Sequence, residues 1–158
     1  MKLYLLRHGI ATDIDAWHGN DAERPLTPEG RRFMERAAKG MEDLGVHPDR
    51  IITSPLKRAK ETAQIVAKRM QPAELVEDVR LAPSFDLKSL AQLLREYGNQ
   101  ETLMLVGHEP DFSRTIGKLI GEARVDLKKG GLARIDLDDA SSARGELVWL
   151  MPPKSLMR

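Results

Sequence analysis

Residues Lys2 to Leu6 form a short apolar run that stops at Arg7-His8-Gly9, the pattern of a buried strand running into a loop. From Ile10 to Arg24 no period is sustained, so a loop is predicted there, longer than most structural connections and for that reason a functional suspect. Thr27-Pro28 signals a helix start, Thr27 as N-cap and Pro28 in the first helical position. Phe33, Met34, Ala37, Ala38, Met41 and Leu44 follow at helical spacing until Gly45 stops the run. Arg50 to Thr53 reads as a second strand. Ser54-Pro55 predicts another N-cap and first-turn pair, with Leu56, Ala59, Ala63, Val66 and Met70 down one helical face. Glu74 to Glu77 reads as a third strand, and Leu87, Leu90, Leu93, Leu94 and Tyr97 give a third helix ending at Gly98. Thr102 to Val106 is apolar on both parities, as a central parallel strand covered on both faces would be. Pro110 opens a fourth helix carrying Phe112, Ile116, Leu119 and Ile120. Two alternating runs, Leu132 to Leu137 and Glu146 to Met151, flank residues 138–144 as an antiparallel hairpin, with Trp149 in its core stripe and Pro152-Pro153 closing it.

Alternation of strand and helix predicts an α/β fold: three α/β/α layers, a mostly parallel central sheet with helices on both faces, and a C-terminal antiparallel hairpin. At 158 residues and 17.7 kDa, with no internal repeat, low-complexity tract or linker, one domain over residues 1–158 is expected. In such sheets ligands bind beyond the carboxyl ends of the strands. The segments that break pattern there are Arg7-His8-Gly9, Ser54 to Arg58 and Gly107-His108-Glu109.

Composition narrows the chemistry. Basic and acidic residues number 25 and 24, and aromatics are only 4%, which disfavours a nucleic-acid partner. The absence of cysteine excludes disulfides, thiolate zinc sites and a cysteine nucleophile. The apolar run before Arg7 is far too short for a signal peptide or a membrane span, so no membrane association and a cytoplasmic location are expected. His18 and His47 lack ligand spacing to another histidine or carboxylate, and no P-loop or GxGxxG fingerprint is present. Trp17 reads either as a substrate-facing aromatic or as an anchor of its loop.

Each pattern-breaking segment supplies a residue suited to an anion: Arg7 and His8, then Arg58, then His108. A lone Arg-His pair at a strand end is usually structural, and Arg58 alone would usually be a solvated helix residue. Their coincidence at matching strand ends is the functional signal. Two guanidiniums can hold several oxygens of one phosphoryl group, with helix N-termini adding oriented N–H groups. A neutral imidazole beside them can attack phosphorus and form a phosphohistidine that water later cleaves.

These segments resemble the histidine phosphatase superfamily: Arg7-His8-Gly9 after the first strand, Leu26-Thr27-Pro28-Glu29-Gly30, Ser54-Pro55-Leu56-Lys57-Arg58-Ala59 with Thr62-Ala63, and Gly107-His108 after the fourth strand. The short length and the Arg24-Pro25-Leu26-Thr27 and Gly107-His108-Glu109-Pro110 runs are most similar to phosphohistidine phosphatases of the SixA type. The resemblance implies His8 as nucleophile, its attacking nitrogen exposed and the other held by a backbone carbonyl. It implies Arg7, Arg58 and His108 as the phosphate pocket, with no metal or other cofactor. Metabolite-cleaving members usually carry a larger insertion with a proton-donating Glu, whereas Glu74 to Lys88 reads ELVEDVRLAPSFDLK without that pattern. Glu109 and Asp86 are the two candidate proton donors.

A phosphohistidine substrate relaxes the need for an acid, because imidazole leaves with a reference pKa of about 6.5 whereas an alkoxide needs strong protonation. The expected substrate is a phosphohistidine-bearing signalling or phosphotransfer protein, and the product inorganic phosphate. The alternatives are a phosphatase of small phosphomonoesters with the same site, and an inactive phosphate-recognising interaction module.

Overall fold

The computed structural model describes residues 1–141 and 143–157, so Ser142 of the predicted hairpin turn and the terminal Arg158 lie outside the described residues. Six strands form one sheet: β1 (Lys2–Arg7), β2 (Arg50–Thr53), β3 (Glu74–Glu77), β4 (Thr102–Gly107), β5 (Leu132–Leu137) and β6 (Gly145–Met151). Their order across the sheet is β3-β2-β4-β1-β5-β6, with the first four parallel and β5 and β6 antiparallel. The predicted C-terminal hairpin therefore extends the edge of the same sheet.

Strand pleating decides which helix covers which face. Leu3, Leu5, Leu103, Leu105 and Ile52 point to one side, where they meet Leu90, Leu93 and Leu94 of α3 (Leu87–Tyr97) and Phe112, Ile116 and Leu119 of α4 (Asp111–Leu119). Tyr4, Leu6, Met104, Val106 and Ile51 point to the other. There they meet Met34, Ala37, Ala38 and Met41 of α1 (Pro28–Asp43) and Ala59, Ala63 and Val66 of α2 (Lys57–Met70). Three layers result, as the alternating pattern predicts.

Local signals act where the sequence places them, with two exceptions. Thr27 caps α1 by accepting the Gly30 N–H, and Gly45, at φ +74°, ends the segment in a conformation open to glycine. Ser54, in contrast, caps no helix. The second helix begins at Lys57 after Leu56, which makes no side-chain cap, and the Ser54 hydroxyl is engaged elsewhere. Pro152-Pro153 does not simply close the chain either: Pro153–Leu156 forms a short helix, α5, whose buried Leu156 packs against the α1 side of the core. The loop over residues 10–24 contains two 3-10 turns, Ile14–Ala16 and Asp21–Glu23, and a bridge between Ala11 and Leu26 ties its ends.

Gly40 lies where α1 and α5 meet, and a Cβ there would run into the backbone carbonyl of Leu156. Gly40→Ala is therefore expected to destabilise the protein by about 1–3 kcal/mol through overpacking, despite alanine's better helix propensity. The midpoint of urea unfolding reads this directly, and an unchanged or raised midpoint would contradict the α1–α5 contact.

Candidate active site

Parallel register places the site. Arg7 pairs with Gly107 across β1 and β4, so the next residues, His8 and His108, leave the sheet side by side. The His8 N–H donates to the Gly107 carbonyl at 3.1 Å, and the two imidazoles lie 5.3 Å apart between ring centroids. On the other side of β4, Thr53 pairs with Val106, so Ser54 emerges beside them with its N–H on the Val106 carbonyl. Arg58 follows in the first turn of α2. Arg7, His8, Arg58, His108 and Glu109 line one cleft of about 640 Å³ at the carboxyl edge of the sheet.

His8 is held in one orientation. It is 6% exposed, and its Nδ1 lies 2.7 Å from the Gly9 carbonyl oxygen, an acceptor, so Nδ1 carries the proton and donates it there. The one side-chain hydrogen bond of His8 among the described residues is that of Nδ1, so Nε2 keeps its lone pair. Gly9 in turn is fixed by its N–H to the Thr62 hydroxyl at 3.0 Å, and that hydroxyl donates to the Arg58 carbonyl at 2.7 Å. One buried threonine thus joins the loop after β1 to the first turn of α2.

Burial pushes the His8 imidazole down to about 3, with the nearby His108, Arg58 and Arg7 working the same way and the Gly9 bond opposing. His108, 4% exposed, is pushed to about 4, by burial first and then by Arg58. Both rings are neutral near neutral pH. Its Nε2 lies 2.7 Å from the Ser54 hydroxyl, and its Nδ1 is buried without a partner among the described residues.

The two arginines are anchored differently. Arg7 donates through Nη1 to the Leu127 carbonyl at 3.0 Å, while its buried Nε has no partner among the described residues. Arg58 gives Nη1 to the Asp21 carbonyl and Nη2 to the Asp21 carboxylate, at 3.0 and 3.2 Å, and its buried Nε is likewise unpartnered. Burial lowers both guanidiniums from the ordinary arginine value, although arginine stays charged in proteins. Asp21 also accepts from Arg24 Nε at 3.1 Å. Partial burial opposes its ionisation, but Arg24 and Arg58 together hold its carboxyl below the usual range.

Of the two carboxylates considered as proton donors, Glu109 lines the cleft and accepts the Ser113 N–H through Oε1 at 2.8 Å. Asp86 is the N-cap of α3, accepting the Ser89 N–H at 2.9 Å, and is not among the residues lining the cleft. Trp17 donates its indole N–H to the Asn20 carbonyl at 2.9 Å, and a Cβ at Gly19 would run into its ring, so it anchors its own loop. Sequence reasoning missed three participants. Asp21 and the cleft-lining Asp13 sit in a loop without periodicity, where no pattern distinguishes one acidic residue from another. Ser54 was hidden by a stronger local signal, since Ser-Pro reads as a helix cap.

The profile of the histidine phosphatase superfamily (branch 1) matches residues 3–83. A protein of Picosynechococcus sp. is 36% identical over 99% of both chains. Phosphohistidine phosphatase SixA of Escherichia coli is 28% identical over 99% of this chain and 96% of its own. The solved structure of a protein histidine phosphatase SixA with tungstate shares the fold, at a TM-score of 0.87 and 24% identity over 99% of each chain.

Two buried neutral histidines make stability depend on pH with a definite sign. Unfolded, each ring titrates near 6.5, and folded near 3 and 4, so the unfolded chain binds more protons through the interval between. Stability is expected to fall as pH drops below about 6.5, by at most about 1.4 kcal/mol per pH unit for each ring. Urea midpoints of wild type and His8→Gln across pH 4 to 7 check this. The variant should show the shallower decline, and parallel curves would refute the buried neutral ring.

Proposed function

This chain belongs to the histidine phosphatase superfamily and is a phosphatase. From that premise we propose that it removes phosphate from a phosphohistidine-bearing signalling or phosphotransfer protein, with His8 as the nucleophile. The observation that carries the reading is the state of His8. Its Nδ1–H is committed to the Gly9 carbonyl, its Nε2 lone pair is uncommitted, and its ring is neutral beside two guanidiniums.

In the first step the Nε2 lone pair forms a bond to phosphorus while the bond from phosphorus to the substrate's ring nitrogen breaks, that electron pair returning to the departing ring, whose other nitrogen carries a proton so that it leaves as neutral imidazole. In the second, water attacks the phosphohistidine as the phosphorus–Nε2 bond breaks, the pair returns to Nε2, and both water protons leave on the product as dihydrogen phosphate. Arg7, Arg58 and His108 hold the phosphoryl oxygens and offset the charge that develops on them. Exchange of one phosphorus–nitrogen bond for another needs little acid assistance. Glu109, placed at the cleft, is the group to protonate a more basic leaving group. The likeness to the Escherichia coli phosphohistidine phosphatase over nearly the full length of both chains supports the same substrate class.

The test combines trapping with substrate comparison. Acid-labile, base-stable label from a radiolabelled histidine-phosphorylated peptide is expected on wild type and absent from His8→Ala; label surviving in the variant would remove His8 from its role. The kcat/KM for that peptide should exceed that for a phosphoserine peptide or a sugar phosphate. Equal or reversed values would favour a small-phosphomonoester phosphatase, and binding of phosphate without turnover would leave only a recognition module.

Arg58→Ala is expected to cost about 2–4 kcal/mol in the transition state, like the loss of a preorganised donor elsewhere. Arg58→Lys should recover part of it, because a point charge can neither reproduce the planar fork nor fill its two bonds to Asp21. Wild-type kcat/KM in Arg58→Ala would remove Arg58 from the pocket.

A further inference from the structure

Ser54 is fully buried and its hydroxyl has two neighbours: the Leu56 N–H at 3.2 Å and the His108 Nε2 at 2.7 Å. The Leu56 N–H can only donate, so the oxygen accepts there. The hydroxyl proton then has one acceptor within reach, Nε2 of His108. Two tautomers of His108 must be weighed by the groups they strand. With the proton on Nε2, the ring would donate to the Ser54 oxygen. That would leave two buried groups without partners, the Ser54 O–H and a bare Nδ1. With the proton on Nδ1, the Ser54 O–H donates to Nε2 and only the Nδ1–H is left over. Each stranded buried polar group costs free energy comparable to a lost hydrogen bond, so the second arrangement is favoured.

We infer that Ser54 is a positioning residue that fixes His108, a ring lining the cleft, as the Nδ1–H tautomer. The distinction matters to an anion. A bare imidazole nitrogen would repel a phosphoryl oxygen, whereas an N–H stabilises the negative charge that grows on it. The ring is thereby a donor while neutral, as its burial requires. Ser54 achieves this from the end of β2, outside the set of residues that line the cleft. Its own carbonyl is tied by the Thr53 hydroxyl at 3.1 Å, which keeps the serine backbone from swinging away. The catalytic consequence rests on the phosphatase reading, but the tautomer does not.

Nitrogen-15 NMR of the imidazoles in the intact protein, with His108 assigned by comparison to His108→Gln, reads the tautomer without any substrate. Wild type should show a protonated, pyrrole-type Nδ1 and an unprotonated, pyridine-type Nε2. Ser54→Thr, which keeps the hydroxyl, should preserve that pattern. Ser54→Ala should lose it in favour of the Nε2–H form or a mixture, with kcat/KM for a histidine-phosphorylated peptide falling about tenfold, the worth of one hydrogen bond. A protonated Nε2 in wild type would overturn the assignment even if Ser54→Ala failed to fold, and so would an unchanged tautomer in Ser54→Ala, whatever its activity. Protein with the expected tautomer but no activity toward any phosphorylated substrate would sustain the role of Ser54 while ending the phosphatase reading.

Discussion

Everything at the cleft depends on the register of three parallel strands. β1, β4 and β2 terminate at matching levels, Arg7 opposite Gly107 and Thr53 opposite Val106. The first residues past each end, His8, His108 and Ser54, are therefore neighbours although about fifty residues separate each from the next in sequence. Because side chains alternate across a strand, a slip of one residue between β1 and β4 would turn one imidazole to the opposite face of the sheet, and a slip of β2 against β4 would turn Ser54 away. Register is held by the strands' apolar content on both parities. Leu5 and Leu105 are buried under α3 and α4, and Leu6, Met104 and Val106 under α1 and α2, so a slip would be felt on both faces at once.

Burial then sets the electrostatics. An exposed histidine beside two arginines would already prefer to be neutral, and near-complete burial adds a desolvation cost to the charged form that dominates the shift. The same burial is costly for the guanidiniums, which the protein accommodates unequally. Arg7 rests on a single backbone carbonyl, whereas Arg58 receives both the carbonyl and the carboxylate of Asp21. The loop over residues 10–24 therefore does more than join β1 to α1. Its second 3-10 turn fixes Arg58, and its Arg24 shares the same carboxylate. Any movement of that turn would change how the guanidinium is presented to an anion.

The connections also explain why the neutral rings stay in place. Thr62, one turn after Arg58 on α2, accepts the Gly9 N–H and donates to the Arg58 carbonyl, so the loop carrying His8 and the helix carrying the arginine are positioned together. Glu109 accepts the Ser113 N–H and so completes the first turn of α4 while lining the cleft.

Hydrophobic periodicity determined the elements and, through their alternation, the α/β class. Thr102–Val106, apolar on both parities, already marked the central strand, and the helical stripes named most of the helix residues found in the two core clusters, although Phe33, Leu44 and Leu56 lie outside both. The positions of Arg7, His8, Arg58 and His108 were legible because each interrupts an apolar pattern at a strand end or in the first turn that follows. What tertiary structure alone decided are the contacts made across chain distance by groups with competing local roles. Ser54 read as a helix cap because an N-cap signal is a short-range pattern, but its hydroxyl found His108, brought within 2.7 Å by strand register. Asp21 carried no signal, since a loop without period gives no face on which to place a carboxylate. Periodicity records which side of an element a residue faces, whereas a hydrogen bond between two elements depends on how far each has been translated along the sheet, and packing fixes that translation.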